Sequence, residues 1–327
     1  MIPPVRDSSS LSPFLIEPRF VGRVWGFRDL HPWYEQVAAV GEDPIGEVWL
    51  TGDECRASAG PVAGKSLAEL FREFPRALLG DGAPVAESPL LIKVIFAREK
   101  LSVQVHPDDG MARKYGQPRG KTECWYALAA DPGAQVAAGL KPGVTMEQVG
   151  AGIRDGTLEQ SLQMVAVSAG DMIFVDAGTV HAIWPGSILL ETQQNCDITY
   201  RMYDYGRPRE LHIEKSLEAA RLVTRAGKVP PRQLGDRTIL IDVEYFRVER
   251  IPVEGTRACA TLAAADEHAP GLAYLFAAEG SARLTSPAFA PVDLPPRSIA
   301  CIPAASPPFT IEDRGGLDLI RISPRWP

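Results

Sequence analysis

The sequence predicts a mainly β protein: two β-barrel or jelly-roll domains with short helical insertions in the first. Three observations carry this. Short apolar or alternating segments recur along the chain, cut by Gly and Pro at turn positions. The stretch LSVQVHPD (101–108) alternates apolar and polar strictly, as a half-buried strand does. Beyond about residue 237 only short strands and Pro/Gly turns remain, which reads as a second, smaller β-sandwich or barrel. The domains are expected at 1–227, with helical insertions near 65–80, 145–163 and 213–223, and at 228–327.

In chain order, residues 13–50 give short strands around VWG (24–26) and GEVWL (46–50). A helical passage follows. Ser66 and Glu69 have the spacing of a capping box, Leu67, Leu70, Phe71, Phe74 and Leu78 recur at helical spacing, and Pro75 divides the passage. Residues 90–96 are a hydrophobic run around one charge, Lys93. After the 101–106 strand, the glycines of 109–120 read as a loop, and a strand begins at about 124. Residues 145–163 are helical, with capping boxes at Thr145/Gln148 and Thr157/Gln160 separated by Asp155-Gly156. Strands resume at 164–203, a helix is expected at 213–223, and 227–232 reads as a linker.

Composition excludes several classes. The 327 residues are 45% hydrophobic and 23% charged, with a net charge of -7 and a pI near 5.4. That is an ordinary globular balance with no basic stripe, so neither nucleic acid nor a membrane is an expected partner. The N-terminus reads as neither a signal peptide nor a membrane span, and no stretch approaches twenty apolar residues. Five cysteines (55, 124, 196, 259, 301) stand far apart without a CxxC pair. They read as reduced thiols of a cytoplasmic protein.

The chemistry gathers around the 101–106 strand. Period two puts Ser102, Gln104 and His106 on one face. Glu123 opens a strand after the glycine-rich loop. His181 follows GDMIFVDAGTV (170–180), a strand and a tight Gly turn. One carboxylate, two imidazoles and an amide oxygen suit a borderline ion such as Zn²⁺ with one position left open, which means catalysis or ligand binding. Each residue alone has a plainer reading: a core histidine, a solvated acid at a strand end. His31, His212 and His268 keep that plainer reading, although His212 could stand behind the first ring of side chains.

The 170–181 segment resembles the second motif of the cupin superfamily, with Asp176 in place of its proline. In the first motif Gln104 replaces a His and Glu123 is displaced by a loop. Those departures are the pattern of one cupin family, the type I phosphomannose isomerases, in their short bacterial form. LSVQVHPDD (101–109), KTE (121–123), GTVH (178–181) and DITYR (197–201) resemble that family's signatures. So do RVWG (23–26), EVWLTGD (47–53) and ELHIEKSL (210–217). The resemblance is strong over about residues 17–223 and weak beyond, and it makes both β domains cupin-like.

The resemblance implies an isomerase of mannose 6-phosphate and fructose 6-phosphate, with one Zn²⁺ per chain on Gln104, His106, Glu123 and His181. It makes Arg201 the active-site arginine. Ser102, Lys121, Lys93 and Asp197 match positions that bind phosphate or substrate. Arg207 occupies the place, six residues after Arg201, where a further cation is expected. The expected partner is a small phosphosugar, and the chain is a monomer or homodimer. Aldose–ketose isomerisation moves a proton between C1 and C2 through an enediolate, so it needs a base and a Lewis acid. Glu191 is the expected proton shuttle, its pKa raised by Leu189 and Leu190, with Lys121 as the alternative. Two other readings stay open: a non-catalytic sugar-phosphate-binding cupin, and a metal-dependent cupin with another substrate, such as an iron oxygenase, because His106, Glu123 and His181 also form a 2-His-1-carboxylate set.

Overall fold

The computed structural model describes residues 11–35, 43–81, 87–258 and 271–326. Cys259, His268 and the strand expected at 258–264 lie, apart from Ala258, outside them. The chain is mainly β, with antiparallel sheets and a few short helices.

Contacts group the chain into two compact units. One comprises Phe20–Val48 and Leu90–Pro230; the other comprises Met1–Arg19, Trp49–Pro89 and Pro231–Pro327. The helices near 65–80 thus group with the C-terminal strands and not with the strands around His106 and His181.

The first unit carries the candidate site. Its larger sheet runs, edge to edge, Gly227–Val229, Met172–Val175, Glu123–Ala130, Ser187–Gln194, Leu90–Phe96, Ile45–Trp49 and Arg19–Phe27. Its smaller sheet runs Tyr200–Tyr203, Val103–Val105, His181–Ile183, Gln135–Leu140 and Leu162–Ala166. The sheets pack face to face over a core that takes Ile95, Trp125, Ile173 and Leu189 from one and Val136, Ala138 and Ile183 from the other. Outside the smaller sheet, Val103, Val105, Ala182 and Met202 pack with Val149 and Ile153 of the helix Met146–Asp155 and Ala219 of the helix Ile213–Ala219. The second unit repeats the plan with a seven-stranded and a four-stranded sheet. Its core joins Leu275, Ala300 and Leu319 to Leu284, Leu294 and Ile311.

Local signals explain most elements. Ser66/Glu69 and Thr145/Gln148 form complete capping boxes. Thr157 does not cap: its backbone lacks the extended conformation of an N-cap, and a short 3₁₀ turn, Leu158–Ser161, follows. The expected loop at 109–120 starts as a helix, Asp109–Lys114, because the Asp108 carboxylate accepts the Met111 N–H at 2.9 Å. The expected linker contains a strand, Gly227–Val229, paired with Met172–Val175. The expected helix 213–223 stops at Ala219, where Arg221 N–H turns back to the Gly178 carbonyl. The alternation at 101–106 yields only the three-residue strand Val103–Val105. Leu101 pairs with Ile183 through its backbone and joins the inner core instead of the face of Val103 and Val105.

Candidate metal centre and substrate pocket

Three short-range devices bring the candidate ligands together. Gly178 takes φ +89°, the left-handed region that favours glycine, and donates its N–H to the His106 carbonyl at 2.9 Å. The turn is pinned by Asp176, which accepts from the Thr179 hydroxyl at 2.9 Å. It therefore delivers His181 beside His106. Gly120 passes so close to Pro107 and Asp108 that a Cβ would lie 2.5 Å from their backbone atoms. From there Lys121 N–H donates to the Pro107 carbonyl, and Glu123 enters its strand. Gln104 and His181 are direct cross-strand partners.

The result is a buried His–Glu–His group. Glu123 Oε2 is 3.5 Å from His106 Nε2, and its Oε1 is 3.5 Å from His181 Nε2. One candidate ligand atom from each of the three residues lies within 4.8 Å of the others. Zinc bonds of about 2.05 Å in a tetrahedron separate ligand atoms by roughly 3.3 Å, so the spacing fits one ion. His181 Nδ1–H donates to the Thr179 carbonyl at 2.9 Å, which leaves Nε2 with its lone pair toward Glu123. The Gln104 amide lies 3.2 Å from the same Nε2. A half-turn of that amide exchanges its nitrogen for an oxygen donor.

The electrostatics agree with a cation. Burial drives the His106 imidazole well below its ordinary value, with Lys121 adding to the effect, and burial takes His181 down to about 4. Both rings are neutral, as ligands must be. Burial pushes Glu123 up to about 8 although Lys121 opposes it. Glu123 Oε1 has no hydrogen-bond partner among the described residues, and Oε2 has the Lys121 ammonium 3.0 Å away. Buried polar atoms without such bonds are costly, and a divalent ion would satisfy the Glu123 oxygens and one imidazole nitrogen.

The group opens on a pocket of about 450 Å³, through Gln104 and through Lys121, whose Nζ is 3.0 Å from Glu123 Oε2. Five cations line this pocket: Arg23, Lys93, Lys121, Arg201 and Arg209. Ser102, Glu191 and Asp197 line it as well. Burial works against the ammonium of Lys93, but Glu191, Glu47 and Asp197 outweigh it and hold the group above its ordinary value. Lys121 is likewise raised, by Glu123 and Glu191 against burial.

Glu191 departs from its expected electrostatics. Burial would raise its pKa, but Lys93 at 2.9 Å and Lys121 outweigh burial, and Trp125 Nε1–H donates to Oε1 at 3.0 Å. The carboxyl is held down at about 2, opposite to the rise expected from its leucine neighbours. Arg201 stands opposite Gln104 in register; its Nη1 donates to the Glu210 carbonyl and its Nε is buried without an acceptor among the described residues. His212 Nδ1 accepts the Arg201 backbone N–H at 3.2 Å. Arg207 is not among the lining residues: it is held by Glu99, Asp204 and the Lys100 carbonyl. Arg209 lines the pocket instead, its Nε and Nη2 each 2.7 Å from an Asp204 oxygen. Trp25, Glu47 and Trp125 also line it; Arg23, Trp25 and Glu47 come from signature stretches to which the sequence assigned no role, and Trp125 from the strand after KTE.

Two facing sheets, a His–Glu–His group able to hold a metal ion and a charged pocket define a protein of the cupin class. No family model matches the chain. It is 35% identical over 259 residues to the mannose-6-phosphate isomerase ManA of Bacillus subtilis, covering 75% of this chain and 80% of that protein. A crystal structure of the mannose 6-phosphate isomerase from Bacillus subtilis superposes with a TM-score of 0.83 at 30% identity, covering 95% and 99% of the two chains. A mannose 6-phosphate isomerase bound with zinc and yttrium shares the fold, with a TM-score of 0.74 at 18% identity, covering 96% and 100%. The chain belongs to the mannose-6-phosphate isomerase family.

Proposed function

We propose that the protein is a zinc-dependent aldose–ketose isomerase that interconverts mannose 6-phosphate and fructose 6-phosphate through an enediolate. One observation carries the proposal: a buried metal-type group opens, through Gln104 and Lys121, onto a pocket lined by five cations. Four carboxylates, Asp43, Glu47, Glu191 and Asp197, share the lining, and Arg201, whose Nε has no acceptor among the described residues, suits an anionic substrate better than a neutral one.

Gln104, His106, Glu123 and His181 would hold the ion. When bound, zinc supplies Lewis-acid polarisation of a sugar oxygen. Arg201, beside Gln104, offers its Nε–H to oxyanion charge as it develops. Arg209 faces the phosphate, because it lines the pocket and Arg207 does not. Ser102, Lys93 and Asp197 position the sugar hydroxyls. Proton transfer between C1 and C2 falls to Lys121 and Glu191. Lys121, held protonated by Glu123 and Glu191, can return a proton to carbon or oxygen but cannot take one, so the ionised Glu191 is the acceptor, a weak base at about 2. The dispersed free thiols support a cytoplasmic setting. No helix among the described residues is long and apolar enough to cross a membrane.

A coupled assay that follows fructose 6-phosphate tests the proposal. Turnover of mannose 6-phosphate, lowered at least about a hundredfold by Arg201→Ala, is the expected result. Turnover unchanged in that variant would remove the mechanism.

A further inference from the structure

Five adjacent strands of the larger sheet each place one charged or donor side chain on the inner face, in a single row. Trp125 and Glu191 are register partners, and so are Glu191 and Lys93. Glu47 and Arg23 continue the row on the next two strands. The contacts alternate in sign. Trp125 Nε1–H donates to Glu191 Oε1 at 3.0 Å. Lys93 Nζ lies 2.9 Å from Glu191 Oε2 and 3.8 Å from Glu47 Oε2. Arg23 then grips both Glu47 oxygens, Nε to Oε1 at 3.1 Å and Nη2 to Oε2 at 2.9 Å. At the other end the Trp125 ring meets His181 edge to face, with centroids 5.6 Å apart.

We infer, resting on the proposed isomerase function, that Arg23 and Glu47 are positioning residues that fix the lysine–carboxylate pair Lys93–Glu191 for the reaction. Both Glu47 oxygens already accept from Arg23, so what Glu47 offers the pocket is charge, and the nearest cation across the row is Lys93. Lys93 is shared among three carboxylates, Glu191 at 2.9 Å, Glu47 at 3.8 Å and Asp197 at 3.9 Å. Within the row, the bidentate Arg23 clamp neutralises Glu47 and leaves the ammonium nearer Glu191. Glu191, held by Lys93 on one oxygen and by Trp125 on the other, is thereby fixed beside the metal-type group. Buried charge networks hold one geometry only while every member is satisfied.

The two outer residues have opposite expected effects on Lys93. Removing the Arg23 charge frees Glu47 to draw the ammonium toward itself. Removing the Glu47 charge leaves Lys93 to Glu191 and, more distantly, to Asp197, and leaves an unneutralised guanidinium nearby.

The test compares wild type, Arg23→Gln, Arg23→Lys and Glu47→Gln as purified metal-loaded proteins. Arg23→Gln is expected to lower kcat about tenfold while KM changes less than about threefold, with metal content unchanged and part of kcat recovered in Arg23→Lys. Its crystal structure is expected to show Lys93 Nζ closer to Glu47 than to Glu191, reversing the 2.9 and 3.8 Å of the wild type, whereas Glu47→Gln is expected to keep Lys93 on Glu191. An Arg23→Gln protein with a lower Tm but wild-type kcat and an unmoved Lys93 would overturn the inference. If wild type itself turned over no sugar phosphate, the proposed function would fall. The position of Lys93 in the two variant structures would still decide the row.

Discussion

The two carboxylate oxygens of Glu123 face different imidazoles, Oε2 toward His106 and Oε1 toward His181, each at 3.5 Å. This carboxylate is 1% exposed and pushed up to about 8 by burial even with the Lys121 ammonium 3.0 Å from Oε2, so a further cation between the imidazoles would be needed to keep it ionised. Metal analysis of the purified protein is therefore expected to give one divalent ion per chain. Glu123→Gln is expected to lose it almost entirely. Gln104→Leu is expected to weaken it less, because an amide oxygen is the poorest donor of the four. Full metal occupancy in Glu123→Gln would contradict the assignment.

Arg207 and Arg209 separate by a binding measurement. Both share Asp204, but only Arg209 lines the pocket. A charge-assisted hydrogen bond contributes about 1.5–3 kcal/mol, so Arg209→Gln should raise KM for mannose 6-phosphate roughly ten- to a hundredfold. Arg207→Gln should leave KM within about twofold, since Arg207 does not line the pocket and a group that does not touch substrate adds no binding to lose. Equal effects from the two substitutions would put the phosphate elsewhere.

Glu191 gives a pH window for stability. Its folded pKa, held at about 2 mainly by Lys93, lies below the ordinary glutamate value of 4.5. Below 4.5 the unfolded chain binds the proton first, so the contribution of Glu191 is complete above 4.5 and is lost as pH falls toward 2. Glu191→Gln should lose stability less steeply than wild type across that interval, as read from denaturant midpoints at fixed pH. Parallel curves would show that Glu191 is not held in the depressed state.

The metal group was legible in the sequence because its parts sit in short stretches. A two-residue strand spacing delivers Gln104 and His106, and a glycine turn delivers His181. The pocket was less so. Arg23, Glu47, Lys93, Glu191 and Trp125 meet only because of the sheet order, which joins strands far apart in the chain. For the same reason the sign of the Glu191 shift escaped a local reading: its leucine neighbours are next in sequence, whereas Lys93 is a cross-strand partner. Arg209 was missed because the tethering of Arg207 by Glu99 and Asp204 is a tertiary contact. The helix Asp109–Lys114 was hidden by its surrounding glycines, although Asp108 had the character of an N-cap. Packing of residues 49–89 with the C-terminal strands has no local signature.

Gly120 tests how the backbone sets the site. A Cβ there would lie 2.5 Å from backbone of Pro107 and Asp108, which cannot yield as a flexible side chain does. Gly120→Ala should displace Lys121 and lower kcat at least about tenfold, by the sensitivity of catalysis to misplacement of about 1 Å. Retained kcat in a folded Gly120→Ala protein would show that the strand, not the close approach, positions Lys121.

Most directly, the central claim is tested by turnover of mannose 6-phosphate to fructose 6-phosphate before chelation, after chelation, and after return of zinc. Loss of turnover on metal removal and recovery on zinc return are predicted. Undiminished turnover in protein shown to hold no metal, or no turnover by the fully loaded protein, would contradict it.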